Sequence, residues 1–139
     1  MTHYIDTNVW IYAIIAHPKY GAKCREILED IEVGSLKAII STQVLSEVAG
    51  VLYRQYQVKD TTRQITAIIS YPLEIATVTP DTILRAAEHA RDYEILPYDG
   101  IHVAAATEHM TTKIISADRE LDKVDFIQRI DPFKYGKLL

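Results

Sequence analysis

The sequence predicts an α/β fold, a three-layer α/β/α arrangement around a mostly parallel sheet, and three observations carry that expectation. Short apolar runs of strand type alternate with amphipathic helical patterns along the whole 139 residues, as in chains built from βαβ units with right-handed crossovers. Residues that start or stop helices sit between the segments, with Pro80 at an opening and Pro18 and Gly34 just past the ends of two others. No internal repeat, low-complexity tract or linker breaks the alternation, so residues 1–139 are expected to form a single domain. A chain of this length buries roughly 68–70% of its unfolded surface, enough for an ordinary core without staples.

His3 to Asp6 is the first strand, and the spacing of Val9, Tyr12, Ala13 and Ala16 suits one face of a helix that starts after Asp6 or Thr7 and ends by Pro18. A second helix runs from about Gly21 to Val33, with Cys24, Ile27, Leu28 and Ile31 at three- and four-residue steps. Lys37 to Ser41 has the composition of a buried strand and leads directly into a long amphipathic helix from Thr42 through Leu52, with Ser41 or Thr42 as cap. A shorter helix spans Asp60 to Ser70, capped by Asp60 or Thr61. Leu73 to Val78 is the third strand, and Pro80 opens the next helix through Ile83, Ala86, Ala87 and Ala90. Leu96 to Ala106 is a turn feeding an alanine-rich helix, with Asp99 at the helix start, and the small side chains there permit close packing against a sheet. Lys113 to Ser116 is the fourth strand, Ala117 to Asp122 a turn or short helix, Phe126 to Ile130 the last strand, and the remainder a tail.

Composition excludes several classes. Hydrophobic residues make up 48% and charged residues 24%, which fits a globular protein and not a disordered or fibrous one. The one cysteine, Cys24, leaves no internal disulfide and no zinc cluster, so a reducing cytoplasmic setting is expected. The longest apolar run, Val9 to Ala16, is too short for a membrane span. A net charge of −4 argues against a general basic coat for nucleic acid. Carboxylates that chelate a divalent ion would contribute to that negative count, while the loaded site is far less negative.

Four acids stand at the edges of apolar segments: Asp6, Glu47, Asp99 and Asp118. In an open sheet, ligands bind outside the carboxyl ends of the strands where strand order reverses. Asp6 closes the first strand and Asp118 follows the fourth, so they meet there if those strands are neighbours, with Glu47 and Asp99 leaning in from helices. Hard cations such as Mg²⁺ and Mn²⁺ take such oxygen ligands. Singly, Asp99 and Asp118 are also ordinary helix-start residues. Glu47 is harder to explain that way, because Val44, Glu47, Val48 and Val51 follow the i, i+3, i+4, i+7 spacing of a buried stripe, and the nearest cation in sequence is Arg54.

Asn8 either caps the first helix or holds a water or phosphate, and Ser116 and Thr42 carry the same two readings. Asp122, four residues after Asp118, lies on the same side if that turn is helical and is either an outer ligand or solvated. His102, three residues after Asp99, is either a general base or, as a single histidine on an apolar helix, a packed core residue, and is left out of the site on the second reading; Trp10 and Tyr98 either stack on bases or pack in the core.

Taken together, Tyr-Ile-Asp6-Thr-Asn8, Ser-Glu47-Val, Tyr-Asp99-Gly-Ile-His-Val-Ala-Ala-Ala and Ser116-Ala-Asp118-Arg-Glu-Leu resemble, in order, the four motifs of PIN domains. The likeness is to the small VapC-type toxins of toxin-antitoxin pairs in particular. That resemblance implies a five-stranded sheet in the order 3-2-1-4-5, Mg²⁺- or Mn²⁺-dependent endoribonuclease activity on RNA, a homodimer, and inhibition by a small antitoxin protein. It makes Asp6, Glu47, Asp99 and Asp118 the metal-binding and catalytic acids, Asn8 and Ser116 polar supports, and Asp122 an occasional fifth acid. Two positions depart from the family pattern. Gly100 stands where Ala is frequent, which would loosen the helix start, and Ser116 stands where Thr is usual, preserving the hydroxyl.

Two rivals come from other classes. A haloacid-dehalogenase-like phosphohydrolase would also begin strand-Asp, but its Asp-x-Asp motif is absent because the third residue is Asn8. A non-catalytic interaction module would have no need of all four acids. Within the nuclease reading, a stand-alone RNA-processing enzyme is the alternative to a toxin.

Overall fold

A computed structural model describes residues 1–136. Five short strands, β1 (Thr2–Ile5), β2 (Lys37–Ser41), β3 (Glu74–Ala76), β4 (Lys113–Ile115) and β5 (Gln128–Ile130), form one sheet. Its order is β3-β2-β1-β4-β5, and every pairing is parallel. In β1, Tyr4 lies opposite Ile39 on one side and Ile114 on the other. Parallel strands covered on both faces should be apolar without alternation. Accordingly, Tyr4, Ile5, Ile39, Ile40, Ile114 and Ile115 are all at most 1% exposed.

The flanking helices are α1 (Thr7–Ile14), α2 (Gly21–Glu32), α3 (Thr42–Tyr56), α4 (Thr62–Ile69), α5 (Pro80–Tyr93) and α6 (Pro97–Glu108). Helix α1 packs on α2 and α3, α3 packs on α4, and α5 lies along α6. No helix among the described residues is long and apolar enough to cross a membrane. Cys24 is buried in the core, and burial pushes its thiol up to about 12, which makes it an inert packing residue.

Expected and observed boundaries differ mainly at ends. Helix α1 stops at Ile14, because Ala16 adopts a left-handed φ of 54° ahead of Pro18. Strand β3 keeps three of the six residues expected, and β5 begins at Gln128 because Phe126 packs instead against His89 and Tyr93. Neither hydroxyl expected to cap α3 does so: the Ser41 hydroxyl pairs with Tyr4 and that of Thr42 accepts from the Val78 amide. The segment expected to be tail holds a 3₁₀ turn at Pro132–Lys134; residues 137–139 lie outside the described residues.

Helix α6 is buried on every side over Gly100–Ala106, which is why its apolar pattern shows no stripe. Gly100 is the contact point with α5. A Cβ there would sit 2.4 Å from the Ala86 carbonyl oxygen. The glycine departure therefore seats the helix, where the sequence suggested it would loosen it.

Candidate metal centre

The end of β1 builds the first part of the site. The Asp6 amide donates to the Ile115 carbonyl, continuing the ladder one residue past the strand, and the Asp6 side chain then caps α1, its Oδ1 accepting from the Thr7 amide at 2.7 Å. The other oxygen, Oδ2, accepts from the Ser116 hydroxyl at 2.6 Å and from Asn8 Nδ2 at 3.2 Å. Asn8 also ties the two central strand ends together, its Oδ1 accepting from the Ala117 amide at 3.1 Å and its Nδ2 donating to Ser116 Oγ at 3.0 Å. Ser116 Oγ in turn accepts from the Asp118 amide at 3.0 Å. Asn8 and Ser116 thus hold Asp6 and Asp118 in register across β1 and β4.

Glu47 enters from α3. Its Oε1 accepts from Thr7 Oγ1 at 2.7 Å and lies 2.6 Å from His102 Nε2. The Asp6 Oδ1 atom is 3.5 Å from the same Nε2. Ligand atoms of Asp6, Glu47 and His102 all fall within 4.8 Å of one another. Asp99 and Asp118 lie outside that tight trio but line the same cleft, of about 700 Å³, together with Arg54 and Tyr98.

The electrostatics follow from this crowding. Burial would lower the His102 pKa, but the neighbouring Asp6 and Glu47 outweigh it and hold the imidazole's proton well above the ordinary range. Burial would raise Glu47, but hydrogen bonds from His102 and Thr7 leave it below the usual carboxylate value. Asp99 has no such donor. Burial, then the charges of Asp118 and Asp6, push it up to about 6.

That shift has a measurable sign. Folded Asp99 keeps its proton to about pH 6 where an unfolded Asp releases it near 3.8. The folded chain therefore binds the extra proton in that window, and stability falls as pH rises through it. In chelator, Asp99→Asn should raise the melting temperature at pH 7.5 and leave it unchanged at pH 4. Equal effects at both pH values would mean that Asp99 is not charge-crowded.

Asp122 is placed elsewhere. Residues Arg119–Lys123 form a 3₁₀ helix, with three residues per turn, so position i+4 turns away from position i. The Asp122 carboxylate instead takes a two-point ion pair from Arg129, at 2.8 and 3.2 Å. Trp10 is buried against Tyr71, edge to face at 5.2 Å, and belongs to the core, whereas Tyr98 is 62% exposed. His102 is buried, as expected, but it belongs to the site. The usable signal was its spacing: three residues after Asp99 on a helix puts it beside the acid's face.

A family model described as PIN domain matches residues 3–127. Ribonuclease VapC13 of Mycobacterium tuberculosis is 24% identical over 134 residues, covering 91% of this chain and 97% of that protein. Among solved structures, M. tuberculosis VapC20, described as a Sarcin-Ricin loop cleaving toxin, superposes with a TM-score of 0.73 at 16% identity, over 91% of this chain and 97% of that one. VapBC2 from Rickettsia felis, bound to a DNA fragment from its promoter, gives 0.68 at 18% identity, over 94% and 98%. Both likenesses are of fold.

Proposed function

The chain belongs to the PIN domain family, and from that premise we propose that it is a metal-dependent endoribonuclease, the toxin of a toxin-antitoxin pair. The observation that carries the proposal is the convergence of Asp6, Glu47, Asp99 and Asp118 on one cleft at the carboxyl end of β1 and β4, where an open parallel sheet places its ligands.

The donor set fits a hard divalent cation, Mg²⁺ with Mn²⁺ as substitute. All four groups are carboxylates, and the upward push on Asp99 marks negative charge that the protein itself leaves unbalanced. Asp6 and Glu47 would hold the ion, with Asp99 and Asp118 completing the shell directly or through water. A bound ion supplies Lewis-acid stabilisation of phosphoryl charge and easier ionisation of water. The chain's own part is to fix the carboxylates: Ser116 and Asn8 hold Asp6, and Thr7 holds Glu47. Arg54 at the cleft wall is suited to a substrate phosphate, and the exposed Tyr98 ring to an unstacked base. Hydrolysis by in-line attack needs no covalent protein intermediate.

RNA as substrate is supported by the ribonuclease relative, and an antitoxin partner by structural neighbours solved as toxin-antitoxin complexes. A homodimer, a cytoplasmic setting and a single domain over residues 1–139 complete the proposal. The test is incubation of purified protein with total RNA in Mg²⁺, in Mn²⁺ and in chelator, with Asp118→Asn as the control for contaminating nuclease. Metal-dependent cutting by the parent alone is the expected result. Cutting that survives chelation or the substitution would overturn the assignment.

A further inference from the structure

Behind the acids, a line of hydrogen bonds runs into the core. The Tyr4 hydroxyl lies 2.7 Å from Ser41 Oγ and 2.7 Å from His102 Nδ1. The far side of the ring, Nε2, meets Glu47 Oε1 at 2.6 Å. Tyr4, Ser41 and His102 come from β1, β2 and α6 and are at most 2% exposed. Buried polar groups are costly unless paired, and an apolar core of the same shape would serve packing as well or better. Here all three are paired, and the line they form leads to Glu47.

The direction of the last bond is fixed by chemistry. A carboxylate only accepts, and Glu47 Oε1, which also accepts from the Thr7 hydroxyl at 2.7 Å, lies 2.6 Å from Nε2, so Nε2 carries its hydrogen toward Glu47. Glu47 needs such a partner. It is a long side chain on the cleft wall, 26% exposed, with no Lys or Arg near it in sequence.

We propose that His102 is a positioning residue, holding the Glu47 carboxylate in place through Nε2–H while Tyr4, braced by Ser41, fixes the orientation of the ring. The proposal rests on the reading of this cleft as a divalent-metal centre. It gives the buried hydroxyls of Tyr4 and Ser41 a role in metal affinity, although both sit behind the ligands.

The test is Mn²⁺ affinity by calorimetry, with melting temperatures alongside, for the parent, His102→Gln, His102→Leu and Tyr4→Phe, each also in a Glu47→Ala background. The Gln side chain puts a donor near the place of Nε2, whereas Leu fills the space without one. His102→Leu should weaken Mn²⁺ binding about 10- to 100-fold, the usual cost of losing a partner behind a metal ligand. His102→Gln should recover most of that loss and Tyr4→Phe should show a smaller one, and the differences should collapse once Glu47 is Ala. Equal affinity for Leu and Gln variants, or differences undiminished in the Glu47→Ala background, would overturn the proposal. If His102→Leu does not fold, Tyr4→Phe decides, since it keeps the ring, and unchanged affinity there is the refuting result. A parent that takes up no Mn²⁺ refutes the metal centre itself, and does so before any variant is read.

Discussion

Asp6→Asn should lower RNA cleavage at least about a hundredfold while leaving the metal-free protein as stable as the parent or slightly more so. The loss in activity exceeds the 10- to 100-fold typical of residues behind a metal ligand because Asp6 would be a ligand itself. Stability is spared for two reasons. Asn keeps an oxygen that can accept from the Thr7 amide and so retains the α1 cap. It also removes one of the charges that push Asp99 up. Against this, the new amide meets Asn8 Nδ2, where a 3.2 Å bond becomes two opposed donors, and Ser116 Oγ, which can accept from it only by giving up its bond from Asn8 Nδ2 or the Asp118 amide. Cleavage assays and thermal melts in chelator check both halves together. A variant that unfolds would show that the bonds Oδ2 accepts from Ser116 and Asn8 hold the fold, and one that cuts at the parent's rate would remove Asp6 from the reaction.

Gly100→Ala should lower the melting temperature by roughly 5–10 °C. Helix propensity favours Ala over Gly by about 1 kcal/mol in a helix interior, so on local grounds the change should help. Packing decides otherwise. The added Cβ meets three backbone atoms of Ala86, the carbonyl oxygen at 2.4 Å, the carbonyl carbon at 3.1 Å and Cα at 3.2 Å. Overpacking of this kind typically costs 1–3 kcal/mol or more, and the obstacle is a main chain that cannot turn aside. A net loss near 2 kcal/mol corresponds to several degrees for a domain of this size. Because Gly100 follows Asp99, the displacement of α6 should also weaken Mn²⁺ binding. A melting temperature equal to or above the parent's would show that α5 yields freely.

The parts of this molecule that were legible in the sequence are those whose signal is local. Strand β2 was read to the residue because Lys37–Ser41 is apolar between polar turns. Asp6 and Glu47 stood out because each interrupts an apolar pattern. The order of the sheet was not legible from the residues, and came only through resemblance to a family. His102 was read as core because its partners lie 55 and 98 positions away. Ser41 looked like a cap for the same reason, its actual partner being 37 residues upstream. Asp122 failed on a different point, since residue spacing cannot tell a 3₁₀ turn from an α-turn, and a third of a turn decides which way a side chain faces.

Strand β1 precedes both of its neighbours in the chain and is completed only by the distant β4. The hydroxyl partner of Asp6, Ser116, lies 110 positions later, and β1 stays unpaired on one side until β4 exists. A growing chain therefore carries an incomplete set of carboxylates until β4 and the Asp118 that follows it have been made. Fragments that stop short of Lys113 lack Asp118 and the strand that orders Asp6. The topology thus holds the proposed activity back until β4 has been made and paired with β1.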